Sequence, residues 1–155
     1  MSNLVHKLIY KSANRAPDLD ALVYRGTKKD YATLSEAVEN VASNLISLGL
    51  YRSERLAVYL EKCHETVISL FGTAAAGGVF VPVNPILKPE QVSYILCDCN
   101  VKVLVTSVDR LNLLITVLPQ CPDLHTIIVV DSTEKLPVIS KLNFIPWDQL
   151  CSPSG

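Results

Sequence analysis

The 155-residue sequence predicts an α/β fold, a largely parallel sheet with helices on both faces, preceded by a short N-terminal hairpin. Apolar runs of strand length, Arg55–Leu60, Val79–Val83, Val101–Thr106 and Thr126–Val130, alternate with segments of helical period. Strands apolar along both faces are buried on both sides, the habit of parallel sheets sandwiched by helices. The composition agrees: 49% of residues are hydrophobic and 19% charged, which excludes a disordered or collagen-like chain.

The elements follow in order. Leu4, Leu8, Ile9, Ala13 and Ala16 recur at helical spacing, and Pro17 ends that helix. Ala21–Tyr24 and Lys28–Tyr31 read as two short strands around a turn at Gly26. Thr33-Leu34-Ser35-Glu36 has the form of a capping box, followed by an apolar stripe of Leu34, Ala37, Val38, Val41, Ala42, Leu45 and Leu48, with Gly49 as the stop. After the Arg55–Leu60 strand, Glu65–Ala76 reads as a helix and Val79–Val83 as a strand. Pro89 suits the first turn of a helix through Cys99 that buries Val92, Ile95, Leu96 and Cys99. Val101–Thr106 is a strand, Asp109–Leu118 a helix closed by Pro119, and Thr126–Val130 the last strand expected. Residues 1–131 therefore form the α/β portion, and 132–155, with Pro137, Pro146 and Pro153 and no strong period, a weakly structured linker.

Several function classes are excluded. Fourteen Lys and Arg balance fifteen Asp and Glu, with no basic face for nucleic acid. The N-terminus lacks the pattern of a signal peptide. Thr66–Leu87 is uncharged over a length that could span a bilayer, but Gly77-Gly78, Pro82 and Pro85 divide it into a buried helix and a buried strand, so no transmembrane segment is expected. Cys63, Cys97, Cys99, Cys121 and Cys151 lack zinc-knuckle spacing and read as reduced, buried thiols of a cytoplasmic protein.

No self-sufficient catalytic constellation appears. The glycines of Gly72–Gly78 close a helix, whereas a phosphate loop opens one. Cys63-His64 points in two directions from a strand-to-helix corner; Glu61 and Glu65 read as a solvated helix start, Asp109-Arg110 as a helix N-terminus and His125 as a loop residue. No residue is assigned a catalytic, cofactor-binding or metal-ligating role.

Five ordered stretches carry a resemblance: Asp30-Tyr31-Ala32-Thr33-Leu34, Leu48-Gly49-Leu50 through Glu54-Arg55-Leu56-Ala57-Val58, Ala76-Gly77-Gly78-Val79-Phe80-Val81-Pro82-Val83-Asn84-Pro85, Lys88-Pro89-Glu90-Gln91-Val92 with Tyr94-Ile95-Leu96, and Val103-Leu104-Val105-Thr106. Together they resemble the N-terminal part of the adenylate-forming superfamily, which includes acyl-CoA synthetases, luciferases and peptide-synthetase adenylation domains. Leu60-Glu61-Lys62, Glu65-Thr66-Val67, Val81–Val92 and Cys121-Pro122-Asp123-Leu124 look closest to the AMP-forming acyl-CoA ligases associated with exosortase A systems.

The resemblance implies a partial N-terminal domain of the adenylate-forming fold. A parent enzyme of this kind takes ATP, Mg and CoA, activates a carboxylic acid as its acyl-adenylate, and passes the acyl group to the thiol. The family's phosphate loop, its nucleotide contacts and the catalytic lysine of its C-terminal domain lie downstream of the matched motifs, and Ser152–Gly155 reads as linker ahead of that loop. The expectation is an N-terminal fragment, inactive alone, whose partners are the rest of the adenylation domain and the C-terminal domain. The alternative is a free-standing binding or regulatory module on a ligase scaffold. Gly77, Gly78, Pro82, Pro85, Thr33 and Glu36 are read as architectural. A mean hydropathy of +0.29 is high for a small domain, so exposed apolar patches are expected where absent segments pack.

Overall fold

Five parallel strands lie in the order β4-β3-β5-β6-β7. The computed structural model describes residues 4–132 and 135–154; the first three residues, Thr133, Glu134 and Gly155, with the readings of the extreme N-terminus and of the linker's last residue, lie outside the described residues. Helix α1 (Lys7–Arg15) precedes an antiparallel hairpin of β1 (Asp20–Tyr24) and β2 (Thr27–Asp30), and α2 (Tyr31–Ser47) leads to the sheet. The sheet is built from β3 (Arg55–Tyr59), α3 (His64–Ala75), β4 (Val79–Pro82), α4 (Pro89–Asp98), β5 (Val101–Thr106), α5 (Val108–Leu114), β6 (Thr126–Val129) and β7 (Asn143–Pro146). A 3-10 turn at Leu118–Gln120 precedes β6, and α6 (Trp147–Cys151) follows β7.

Strand alternation divides the interior in two. Leu56, Val58, Val103, Val105, Ile128 and Ile145 face one core with α1, α2, α3 and α6. Ala57, Tyr59, Leu104, Ile127 and Val129 face the other, filled by α4, α5 and the 3-10 turn. Right-handed crossovers explain the partition. The chain steps from β3 to β4 in one direction and from β4 past β3 to β5 in the other, so α3 lands on one face and α4 on the opposite one. The stretch from 66 to 87 divides into most of α3 and β4, and no described helix is long and apolar enough to cross a membrane.

Over β3, β5 and β6 both sheet faces are covered, whereas the edge strand β4 is only half-buried, so the apolar excess does not lie on a bare central face. Exposed large apolar side chains sit instead on α1 (Leu8), the hairpin (Val23), the edge strand (Val79) and loops (Ile86, Val138). The tail also differs from expectation. Residues 143–146 pair with β6 as the fifth strand, and α6 buries Trp147 and Leu150 against the first core. Four residues containing a proline have no strand signal of their own; pairing with a neighbour supplies it. Asn44 Nδ2 donates to Leu150 O (2.7 Å) and Ser152 O (2.7 Å), and Asn40 Nδ2 donates to Cys151 O (3.2 Å), satisfying carbonyls at the end of α6.

Two helix boundaries are corrected. The Thr33–Glu36 capping box does not form. β2 runs straight into α2, so Asp30 takes the N-cap position, and its Oδ1 accepts from Thr33 N at 2.8 Å. Thr33 becomes the third helical residue and Glu36 an exposed residue one turn on. The Asp109–Leu118 helix starts one residue earlier and ends at Leu114, and Pro119 sits inside the 3-10 turn. That short turn tolerates proline because its first residues have no intrahelical use for an N–H.

The run Gly72–Gly78 solves two packing problems. Gly77 has φ +84°, a left-handed conformation that lets the chain turn from α3 into β4. At Gly72 a Cβ would stand 2.5 Å from Val41 Cγ1, so its hydrogen side chain sets the approach of α3 to α2.

Gly72→Ala is expected to destabilise the chain by about 1–3 kcal/mol through overpacking, read from the urea midpoint. The loss should shrink in a Val41→Ala background, where the clashing methyl is gone. Asp30→Ala should lower Tm by a few degrees at neutral pH while Glu36→Ala leaves it unchanged. The Thr33 N–H holds the Asp30 carboxyl below the usual carboxylate range. A depressed folded-state pKa makes the contribution complete above the unfolded value of about 3.9 and loses it as pH falls through the folded one. The gap between wild type and Asp30→Ala should therefore close in acid.

Candidate functional site at the strand-order reversal

In open α/β sheets, loops diverge at the carboxyl ends of the strands where the strand order reverses, leaving a crevice there. Here that point lies between β3 and β5. A cavity of about 480 Å³ opens there, lined by Leu60, Glu61, Cys63, Ser107, Arg110 and Asp131 among others.

Arg110, in the first turn of α5, organises the crevice. Its guanidinium lies 5.1 Å from the centroid of the Tyr59 ring, donates through Nη1 to the Pro85 carbonyl, and through Nη2 to Glu61 Oε1 at 3.3 Å. Glu61 is largely exposed, so the ion pair contributes at most about 1 kcal/mol. The ring and the carbonyl hold the side chain more firmly, since Arg110 itself is largely buried. One residue thus ties together the loops that follow β3 and β4.

The neighbours are braced as well. Tyr59 Oη donates to Leu87 O at 2.8 Å, Thr106 Oγ1 donates to Tyr59 O at 2.8 Å, and Val108 N donates to Asp131 Oδ1 at 2.7 Å. Ser107 caps α5, accepting from Arg110 N.

Cys63, His64 and His125 make no bond to Arg110, though Cys63 lines the crevice. Burial pushes the Cys63 thiol up, and its Sγ lies 3.3 Å from Thr66 Oγ1. A protonated thiol is a poor nucleophile. His64 is buried with its ring 6.2 Å from that of Tyr24, so the two neighbours form no dyad. His125 lies at the opposite, amino end of the sheet, its Nδ1 2.7 Å from Thr126 Oγ1, and burial lowers its pKa. A larger hollow, about 650 Å³, opens at that amino end between Leu4, Val5, Arg52 and Phe80. Its lining is chiefly aliphatic and backbone, so the smaller carboxyl-end crevice is the better chemical candidate.

The Gly72–Gly78 run is not placed to hold the phosphates of a nucleotide. The glycine run lies at the C-terminus of α3, where outward carbonyls present the negative end of the helix dipole. No group of three or more His, Cys, Asp or Glu among the described residues is placed to hold a metal ion.

The convergence of Arg110, Glu61, Tyr59 and Pro85 is invisible in sequence, because Arg110 and Glu61 are 49 positions apart. One clue was present. A cation in a helix's first turn opposes the dipole, and such a residue needs a tertiary partner.

The comparisons with known proteins agree with one another. The model of the AMP-binding enzyme family matches residues 9–148. The chain is 31% identical over 128 residues to tyrocidine synthase 3 of Brevibacillus parabrevis, covering 81% of this chain and 2% of that protein. It is 31% identical over 153 residues to the mitochondrial medium-chain acyl-CoA ligase ACSF2 of Danio rerio, covering 86% of this chain and 25% of that one. The structure of the anthranilate CoA ligase AuaEII in complex with anthranoyl-AMP superposes with a TM-score of 0.78 at 26% identity, over 81% of this chain and 24% of that one. Coronafacic acid ligase from Pectobacterium brasiliense shares the fold, with a TM-score of 0.85 at 18% identity over 96% of this chain and 29% of that chain. The chain thus spans a quarter or so of the ligases and a far smaller share of the synthase. A doubly wound sheet with its loops braced at the strand-order reversal, matched by that family model along nearly its whole length, belongs to the AMP-binding enzyme family.

Proposed function

We propose that the chain is the N-terminal portion of an AMP-forming acyl-CoA ligase and is inactive alone. In the proposed parent, ATP and Mg convert a carboxylic acid to its acyl-adenylate with release of pyrophosphate, and the acyl group then passes to the thiol of CoA. The observation that carries this reading is the family match over 9–148 in a chain spanning only 25% of ACSF2. The state of Arg110 supports it, since a guanidinium committed to Glu61, Pro85 and Tyr59 serves the scaffold. The role of this portion is to set the two loops at the mouth of the crevice; the remainder of the adenylation domain and the C-terminal domain supply the reacting groups. A cytoplasmic location and kinship with the exosortase-associated ligases belong to the same proposal, the latter on the wording of Val81–Val92 and Cys121–Leu124.

One observation favours a second reading. Two separate cores cover both faces of the central strands β3, β5 and β6, as a free-standing binding or regulatory module requires.

ATP–pyrophosphate exchange separates activity from scaffold. The 155-residue chain with Mg-ATP and a panel of aliphatic and aromatic acids should give the rate of the blank. Exchange above the blank overturns the inactive-portion reading. The codons after Gly155 decide between the two readings: a Ser/Thr/Gly-rich loop ending in Pro-Lys supports the ligase, and an immediate native stop codon supports the module.

A further inference from the structure

Two of the five cysteines converge far from the carboxyl-end crevice. Cys97, on α4, donates its thiol hydrogen to the carbonyl of Gln120 at 3.3 Å, the residue directly before Cys121. The Cys121 sulfur lies 4.0 Å from Ser93 Oγ, on α4 one turn before Cys97, and is also turned toward Val117 O at 3.8 Å. Both thiols therefore face the seam between α4 and the 3-10 turn, Cys97 against the residue before Cys121 and Cys121 against the residue one turn before Cys97. None of the other cysteines is placed this way. Cys63 faces Thr66, Cys151 lies on α6, and Cys99 forms the C-cap of α4.

The pair is asymmetric. Cys97 is half-buried and within reach of a small oxidant, whereas Cys121 is buried. Burial, with the Cys97 thiol beside it, pushes the Cys121 thiol up to about 11. Cys121 is therefore slow to react on its own and acts second, once Cys97 has been oxidised. Closing the pair needs the sulfurs to reach about 2 Å, by rotation of the two side chains across the shared seam.

We propose that Cys97 and Cys121 are a peroxide-sensitive pair that closes to a reversible intramolecular disulfide, stapling α4 to the 3-10 turn. The Cys97 thiolate attacks hydrogen peroxide, forming a sulfur–oxygen bond, breaking the oxygen–oxygen bond, and releasing hydroxide that takes up the thiol proton as water. Cys121 then attacks the Cys97 sulfenic sulfur as its own proton passes to the departing sulfenic oxygen. The sulfur–sulfur bond forms, the sulfur–oxygen bond breaks, and the departing hydroxide leaves with the Cys121 proton as a second water. Two thiols are oxidised and one peroxide is reduced. The disulfide encloses β5 and α5 in its loop and so restricts the unfolded chain.

The test uses the 155-residue chain, reduced, desalted and treated with one equivalent of hydrogen peroxide, then alkylated. The oxidised monomer should be about 2 Da lighter before alkylation, for two hydrogens lost, with two of its five thiols closed to the alkylating agent. Digestion with trypsin and a protease that cuts before Asp98 separates Cys97 from Cys99, and a Cys97–Cys121 linked peptide should appear and vanish with dithiothreitol. Tm should rise by several degrees on oxidation of the wild type and of Cys99→Ser, and stay level in Cys97→Ser. Because Cys121→Ala alters the core, the half-buried Cys97→Ser carries the control, its folding checked by circular dichroism. A Cys97–Cys99 link, an intermolecular dimer, Cys97 sulfinic acid beside an alkylated Cys121, or full alkylation of all five thiols each overturns the proposal.

Discussion

The parallel pairing of β3 with β4 on one side and β5 on the other is the constraint from which the remaining architecture follows. Arg55 faces Val79 in one ladder and Val101 in the other, so β3 is hydrogen-bonded along both edges. Its side chains alternate between the two cores, Leu56 and Val58 to one and Ala57 and Tyr59 to the other. Each of its large apolar side chains removes surface from water worth about 1.5–3 kcal/mol. A strand committed on both edges and both faces leaves little freedom. The helices on either side of it must lie on opposite faces, and the loops after β3 and β5 must part at the carboxyl end.

The crevice is a consequence of that parting, and Arg110 is what steadies it. Tyr59 is the last residue of β3 and is fully buried, yet its ring supports the guanidinium and its hydroxyl reaches Leu87. The same side chain thus belongs to the core and to the site. Held this way, the segment 83–88 is ordered at both ends, with Gln91 Oε1 also accepting from Lys88 N at 2.9 Å. A scaffold of this kind can present loops to other segments at defined positions without itself carrying a reacting group.

Much of the fold was legible because its signals are local. The stripe Leu34, Ala37, Val38, Val41, Ala42 and Leu45 buries as its period requires, and the strands at 55, 79, 101 and 126 begin where their apolar runs begin. The failures share a cause. Asp30 displaced Thr33 as the cap because β2 delivers the chain into α2 without a linker. β7 and α6 went unseen because each is a few residues long and stabilised by β6, Asn40 and Asn44 far away in sequence. Of the site, sequence showed Glu61, Asp109 and Arg110 only as ordinary helix-end charges; the contact of Arg110 with Glu61, Pro85 and Tyr59 exists only after three loops meet.

The sequence by itself determined the α/β class, most element positions and the family resemblance, since period, turn chemistry and short motifs act through neighbours along the chain. Tertiary structure alone decided the strand order, the covering of both faces, the fifth strand, the Arg110 brace and the meeting of Cys97 with Cys121. Those depend on which distant residues arrive side by side. That is set by the handedness of the crossovers and by the burial of β3 between two cores.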